Sequence, residues 1–211
     1  MNERKGLSSL AEVELSASAR AWLDRLAADA SGDAVWRARK RAEIRDLLAL
    51  AELAPAGRLR VEDLDSRQAL RAMVLVDVPV AVRDAGDEVR TERRALLGLQ
   101  YPREALSRSL PGYAFLQILS PDRVFHANVA TRPAQLLCLG ATLPPGVRVS
   151  ELIVMAYGAL SMQSVMLDAS DPAGVMNPAA AEWWLAHRDR LPLSATPFLV
   201  PETVATGGGG V

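Results

Sequence analysis

The chain has 211 residues, half of them apolar, and a formal net charge of −1 at pH 7. This fits one domain with a real core and short extensions, and the near-neutral balance argues against a polyanion such as nucleic acid as partner. A single cysteine excludes an internal disulfide framework and fits a reducing compartment. The opening Met1-Asn-Glu-Arg-Lys-Gly6 lacks an apolar signal core, and no later run has the ~18 unbroken apolar residues of a membrane span. A cytoplasmic location without membrane contact is expected. Basic residues are nearly all arginine, Lys5 and Lys40 being the only lysines, which reads as the bias of an Ala/Arg-rich genome.

Residues 1–33 form an N-terminal extension with a helix predicted over 19–30, capped by Ser16 or Ser18 and carrying Trp22, Leu23 and Leu26 on one face. Asp33 caps a second helix from 34 to about 53. Val35, Trp36, Ile44, Leu47, Leu48 and Leu50 are expected to supply its apolar stripe; Arg37, Arg39, Lys40 and Arg41 form a basic, solvated face. Pro55 and Gly57 stop it. From Arg58 the pattern turns to short runs with β character: strands over 59–64, 69–82 and 89–99, broken by Asp65-Ser66 and by the turn Asp84-Ala-Gly-Asp87. The alternation of Met73, Leu75 and Asp77 against Val74, Val76 and Val78 is not clean, so the second strand is expected to be covered on part of both faces. Pro79 must sit at an edge or a bulge. A fourth strand covers 113–119. Consecutive strands without intervening helices imply an α+β domain: a four-stranded antiparallel meander with helices packed on one face, plus the extra N-terminal helix.

Residues 124–140 then bring together His126, Asn128 and Cys138 in a loop of about twenty residues, a length that is often functional. Ser150 is expected to cap an apolar helix reaching about 162. A loop with Asp168, Asp171 and Pro172 leads to Pro178, a good first helical residue, and a last helix over 179–188. There Trp183 and Trp184 are adjacent, so only one of them can be fully buried. The Pro/Gly-rich tail, 191–211, is expected to be flexible.

A thiol beside an amide side chain suits acyl transfer, because sulfur takes the acyl group and the amide donates to the oxyanion. Phe125-His126-Ala127-Asn128 followed by Leu137-Cys138-Leu139 resembles the ubiquitin-conjugating enzymes, marked by His-Pro-Asn upstream of a catalytic cysteine. Gln100-Tyr101-Pro102, Pro111, Leu143-Pro144-Pro145, Asp171-Pro172 and Asn177-Pro178-Ala179-Ala180 resemble further elements of that family in the same order, so the likeness covers roughly 34–190. It implies the family's fold and an activity in which Cys138 accepts the activated C-terminus of a ubiquitin-like protein as a thioester and passes it to an amine, lysine in the usual case. Asn128 would stabilise the oxyanion or order the loop, His126 would hold the loop rather than act as a base, and Asp171 would face the acceptor, with Asp168 competing for that role. The basic face of the second helix would dock the activating enzyme. The implied partners are the ubiquitin-like protein, the activating enzyme and a protein substrate.

Ala127 stands where the motif has proline, Asn128 and Cys138 are about two residues further apart than usual, and the tryptophan common after the cysteine is missing. These departures resemble the divergent bacterial conjugating enzymes that accompany a ubiquitin-like protein, an activating enzyme and a metallo-deubiquitinase in antiphage operons. Two other readings remain: a catalytically silent relative that binds a ubiquitin-like protein or scaffolds a partner, and an unrelated fold with Cys138 as a small buried hydrophobe. A Cys-His hydrolase is less attractive, since no obvious acid orients either imidazole. Two histidines and one cysteine lack zinc-ligand spacing. Nucleotide-binding glycine loops are absent, so no cofactor is expected and ATP would be consumed by a partner.

Overall fold

The computed structural model describes residues 10–29, 31–55, 57–168, 170–171 and 174–199. The opening with Lys5, the helix-ending Ala30, Pro172 and the Gly-rich stretch beyond Leu199 lie outside the described residues. Helix α1 (Ala17–Asp29) starts where the Ser16 hydroxyl accepts the Ala19 N–H at 3.3 Å. The Ser16 N–H in turn reaches the Glu52 carboxylate at 3.0 and 3.1 Å, near the end of helix α2 (Ala34–Leu53). With Leu23 and Leu26 buried, α1 joins the main core. Asp33 caps α2 by accepting the Trp36 N–H at 2.9 Å, a bond that holds its carboxyl below the usual carboxylate range.

The basic face expected on α2 divides between inside and outside. Lys40 is fully buried, its ammonium donating to the carbonyls of Ser66 and Gln68, and burial lowers its pKa. Arg39 also turns inward: Nε lies 2.7 Å from Glu43, and the guanidinium donates to the Gly146 and Val147 carbonyls and the Tyr101 hydroxyl. Arg37 donates to the Gly32 carbonyl and Arg41 pairs with Asp24 of α1. The expected docking stripe is therefore not a continuous free surface. Two of its four cations hold loops from elsewhere in the chain.

Strands β1 (Leu59–Asp65), β2 (Leu70–Arg83), β3 (Val89–Tyr101), β4 (Leu116–Ser120) and β5 (Gln135–Leu137) form one antiparallel sheet in sequence order. This is one strand more than expected, because β5 is only three residues long and shows no period in the sequence. β4 starts late because Gly112–Ala114 make a 3-10 turn. The alternation in β2 is cleaner than its sequence suggests: Val74, Val76, Val78 and Val80 are buried, while Met73 is exposed. The outer face is exposed at Arg71 and Met73, part-buried from Leu75, and fully covered at Ala81, which shares a cluster with Phe125 and Trp184. Pro79 falls in the register break between Asp77 and Val80, where no ladder donor is required.

Helices α2 and α3 (Val149–Leu160) cover the inner face, where Ile44, Leu47, Leu50, Leu152 and Ile153 share one core with the sheet valines and leucines. Each such side chain contributes roughly 1.5–3 kcal/mol on burial. Ser150 does not cap α3; it lies inside the first turn, fully buried. The orphan donors there go to two carboxylates instead: Glu151 accepts the Arg148 N–H at 2.8 Å, and Glu43 of α2 accepts the Val149 N–H at 2.6 Å. Helix α4 (Pro178–Ala186) is capped by Asn177, with Pro178 as its first residue. Trp184 is fully buried and donates to the Phe125 carbonyl at 3.0 Å, while Trp183 is only partly covered.

The expected flexible tail is corrected over 193–199. Phe198 is fully buried with its ring edge-on to Tyr157 at 5.3 Å, Tyr157 donates to the Thr196 carbonyl at 2.9 Å, and Arg58 donates to the Phe198 carbonyl at 2.8 Å. An aromatic anchor outweighs the proline-rich composition. Among the described residues, no helix is long and apolar enough to cross a membrane.

Candidate active site

After β4 the chain returns along the end of the sheet. The Phe125 N–H donates to the Ala81 carbonyl at 2.8 Å, and Val124 bridges Val82, so residues 123–125 extend the pairing of β2. The next residues run antiparallel to β5: the Ala130 N–H donates to the Leu136 carbonyl at 3.0 Å and the Cys138 N–H to the Asn128 carbonyl at 2.8 Å. Two short segments, 128–130 and 136–138, with five residues between them are thus zipped together, which places Asn128 beside Cys138.

His126 lies beneath this pair and is fully buried. Nε2 is 2.8 Å from the Ala159 carbonyl on α3, and Nδ1 accepts the Asn128 N–H at 3.0 Å. The second contact requires a bare Nδ1, so the tautomer is Nε2–H. Burial pushes the imidazole down to about 4, so it is neutral near pH 7. With both nitrogens engaged, His126 positions the loop and has no free atom with which to accept a proton. The Asn128 amide is similarly committed: its NH2 donates to the Gly174 carbonyl at 2.5 Å and the Met166 carbonyl at 3.2 Å, and its oxygen accepts the Met166 N–H at 3.1 Å. Of the two roles implied for Asn128, this geometry performs the ordering one. It ties residues 166 and 174 into the far wall of a groove.

That groove encloses about 440 Å³ and is lined by Asn128, Cys138, Gly140, Met155, Gly158, Met166 and Asp171 among others. Cys138 is more covered than a surface nucleophile, at 5% exposure, and its thiol donates to the Gly140 carbonyl at 3.3 Å. Asp171 is half-buried and lines the groove with it. Asp168 does not: it is exposed, and its carboxylate is held below the usual range by the hydroxyl and N–H of Ser170, at 2.6 and 2.9 Å. Of the two acids weighed from the sequence, Asp171 is the one the fold brings to the thiol's groove. No family model, curated protein or solved structure matches the chain.

Sequence reasoning missed the glycines that shape this site. A Cβ on Gly112 would sit 2.2 Å from the Gly140 oxygen, so the 3-10 turn and the thiol-bearing segment meet backbone to backbone. Gly140 itself has φ of +125°, a conformation that favours glycine. The nearest sequence signal was Gly140 two places after the cysteine. A larger concavity, about 660 Å³, has different walls, including Arg83, Asp87, Asp122, Arg123 and Arg132. It contains no thiol, and its Arg83 is engaged by Asp87 at 3.1 Å and by the Phe125 ring at 4.4 Å. Among the described residues, no cluster of three or more His, Cys, Asp or Glu is placed to hold a metal ion.

Proposed function

We propose that the chain is a ubiquitin-like-protein conjugating enzyme with a ubiquitin-conjugating-enzyme-like fold, of the divergent bacterial kind its motif resembles. The observation that carries the reading is the backbone pairing of Asn128 with Cys138 at the wall of a groove that also contains Asp171. The sequential antiparallel sheet with helices over one face supports it as architecture.

In the first step the Cys138 thiolate attacks the thioester carbonyl presented by an activating enzyme, a new carbon–sulfur bond forms, and the activating enzyme's thiol leaves. The thiol must first give up its contact with the Gly140 carbonyl and turn into the groove. In the second step an amine of the protein substrate attacks the same carbonyl, an amide forms, and Cys138 departs as thiolate. A lysine acceptor with an ordinary pKa near 10.4 is mostly ammonium at pH 7; Asp171 attracts that charge, orients it, and accepts its proton. Asn128 and His126 keep the walls in place throughout. ATP is consumed by the activating enzyme, and this chain needs no cofactor. In the operon setting that the resemblance implies, a metallo-deubiquitinase would reverse the product, and antiphage defence would be the role.

The test is a gel-shift assay with the ubiquitin-like protein and activating enzyme encoded beside this chain, plus ATP. The expected product is an adduct that is lost on reduction and absent from Cys138→Ser. No adduct with authentic partners overturns the reading. The 5% exposure of Cys138 favours one second reading, a catalytically silent module of the same fold that binds a ubiquitin-like protein. It predicts binding that survives Cys138→Ser and a thiol that alkylates only after unfolding.

A further inference from the structure

We propose that the C-terminal strap, residues 193–199, is a latch on the Cys138 groove: docked, it fixes the wall that covers the sulfur, and its release opens the thiol to reagents. As regulation of a conjugating site this rests on the acyl-transfer reading; as a gate on the sulfur it does not.

Cys138 is 5% exposed, so part of the surrounding wall has to move before an electrophile reaches the sulfur. The wall that carries Ser164, Met166, Asp171 and Gly174 is fastened in two places. Its far part is tied to Asn128 through Met166 and Gly174. Its root, where the chain leaves α3, is tied to the strap. The Ser161 carbonyl accepts the Leu193 and Ser194 N–H groups at 2.9 and 3.4 Å, and the Gln163 amide donates to the Ser194 and Thr196 carbonyls at 2.9 and 2.8 Å.

That root is strained. Met162 has φ of +58°, in the left-handed region that residues with side chains rarely adopt. Such a conformation persists only where surrounding contacts over-determine it. Here the Met162 side chain is buried in a cluster with Phe125 and Trp184, against which Leu193 of the strap also packs. The strap's hydrogen bonds hold residues 161 and 163 on either side. Without them Met162 is free to leave the left-handed region, and the wall that follows it is re-aimed.

The strap's own hold is concentrated around one ring. Phe198 is fully buried edge-on to Tyr157, whose hydroxyl donates to the Thr196 carbonyl. Arg58 lies 5.7 Å from the centre of the Tyr157 ring and donates to the Pro197 and Phe198 carbonyls at 2.5 and 2.8 Å. Between Ser194 and Phe198 the strap is exposed. A segment held by one aromatic seat and a few backbone bonds can detach as a unit while the sheet and helices stay folded. Tyr157, which receives the strap, is next to Gly158, which lines the groove, so the two regions share one turn of α3. Whatever lifts Phe198 from Tyr157 therefore loosens the groove wall without touching the sulfur.

The experiment measures the rate at which iodoacetamide alkylates Cys138 in the folded full chain, by mass spectrometry, alongside urea unfolding of each variant. Phe198→Ala should raise the rate about tenfold or more. Gln163→Ala, an exposed change that removes only the two side-chain bonds to the strap, should raise it about threefold or more. Leu23→Ala, a cavity in helix α1, should lower global stability at least as much as Gln163→Ala yet leave alkylation without urea unchanged. Rates that merely follow global stability across the three variants, or that stay at the wild-type value in Phe198→Ala and Gln163→Ala, overturn the latch. The gel-shift assay separates it from the conjugating reading. Faster alkylation of the variants with no adduct from authentic partners overturns that reading and leaves the gate standing; a wild-type adduct without any change of alkylation rate in the variants overturns the gate alone.

Discussion

The first turn of α3 receives a carboxylate from another helix, Glu43 at 2.6 Å from the Val149 N–H, whereas its last turn is held by an imidazole, His126 at 2.8 Å from the Ala159 carbonyl. The N-terminal end exposes donors and the positive pole of the helix, so an anion satisfies it even at the cost of burial. Burial is the main reason the Glu43 pKa is raised, and Arg39 at 2.7 Å only partly offsets that. At the C-terminal end a carbonyl needs only one N–H, and a neutral ring supplies it without adding charge next to the groove. The charged lock is sealed beneath the 144–148 loop and Tyr101, which donates to the Val147 carbonyl at 2.7 Å. The neutral one borders the candidate site, where Asp171 is then the one carboxylate among the described lining residues.

Substitution at the sealed end should have the largest effect. Glu43→Ala removes the carboxylate partner of the inward-facing Arg39 and the acceptor of the Val149 N–H, and the expected loss is about 3–5 kcal/mol in urea unfolding. Glu43→Gln should cost less, because an amide oxygen still accepts the N–H and the buried charge is gone. Equal losses for both would mean that charge, not hydrogen bonding, holds this end.

The neutral end should respond to pH instead. His126 titrates at about 4 in the folded chain against about 6.5 when unfolded. Between those values the unfolded state binds the proton and the folded state does not, so stability falls as pH drops from 6.5 toward 4. The loss amounts to about 3 kcal/mol. Glu43, with its raised pKa, works in the opposite sense: stability falls as pH rises above its unfolded value near 4.5. The diagnostic is therefore the difference between wild type and His126→Gln across this range, and parallel pH profiles would remove His126 as the cause.

Asn128→Ala strips the acceptor from Met166 N–H and the donors from two carbonyls, with an expected cost of about 1–3 kcal/mol in urea unfolding. Hydrogen exchange should also become faster at residues 166 and 174. Unchanged exchange there would mean that the groove wall stands without this amide. The smallest effect returns to the sealed end. The Ser150 hydroxyl is buried with no hydrogen-bond partner among the described residues, so Ser150→Ala should stabilise by up to about 1 kcal/mol, read as a higher melting temperature.

Local chemistry was legible from sequence, and chemistry between distant segments was not. Asp33 and Pro55 bracket α2 as their types require, Pro79 sits at a register break, and of the adjacent tryptophans only Trp184 is fully buried. Ser150 has the right residue type for a cap, yet Glu43 supplies the acceptor from 106 residues away, and no local pattern reports that. Lys40 looked solvated because a helix pattern does not show the Ser66 and Gln68 carbonyls that arrive from beyond β1. At the candidate site, the closeness of Asn128 and Cys138 was readable as a cluster. The pairing of 128–130 with the very short β5, and the commitment of the amide to Met166 and Gly174, depend on contacts that sequence spacing does not encode.

The internal seat of Lys40 has a practical side. Of the chain's two lysines it is the one among the described residues, and its nitrogen is enclosed by backbone oxygens. A lysine-directed dye or cross-linker added to the folded protein will therefore find no free ammonium on the described surface, so that modification of Lys40 reports the opening of its carbonyl cage.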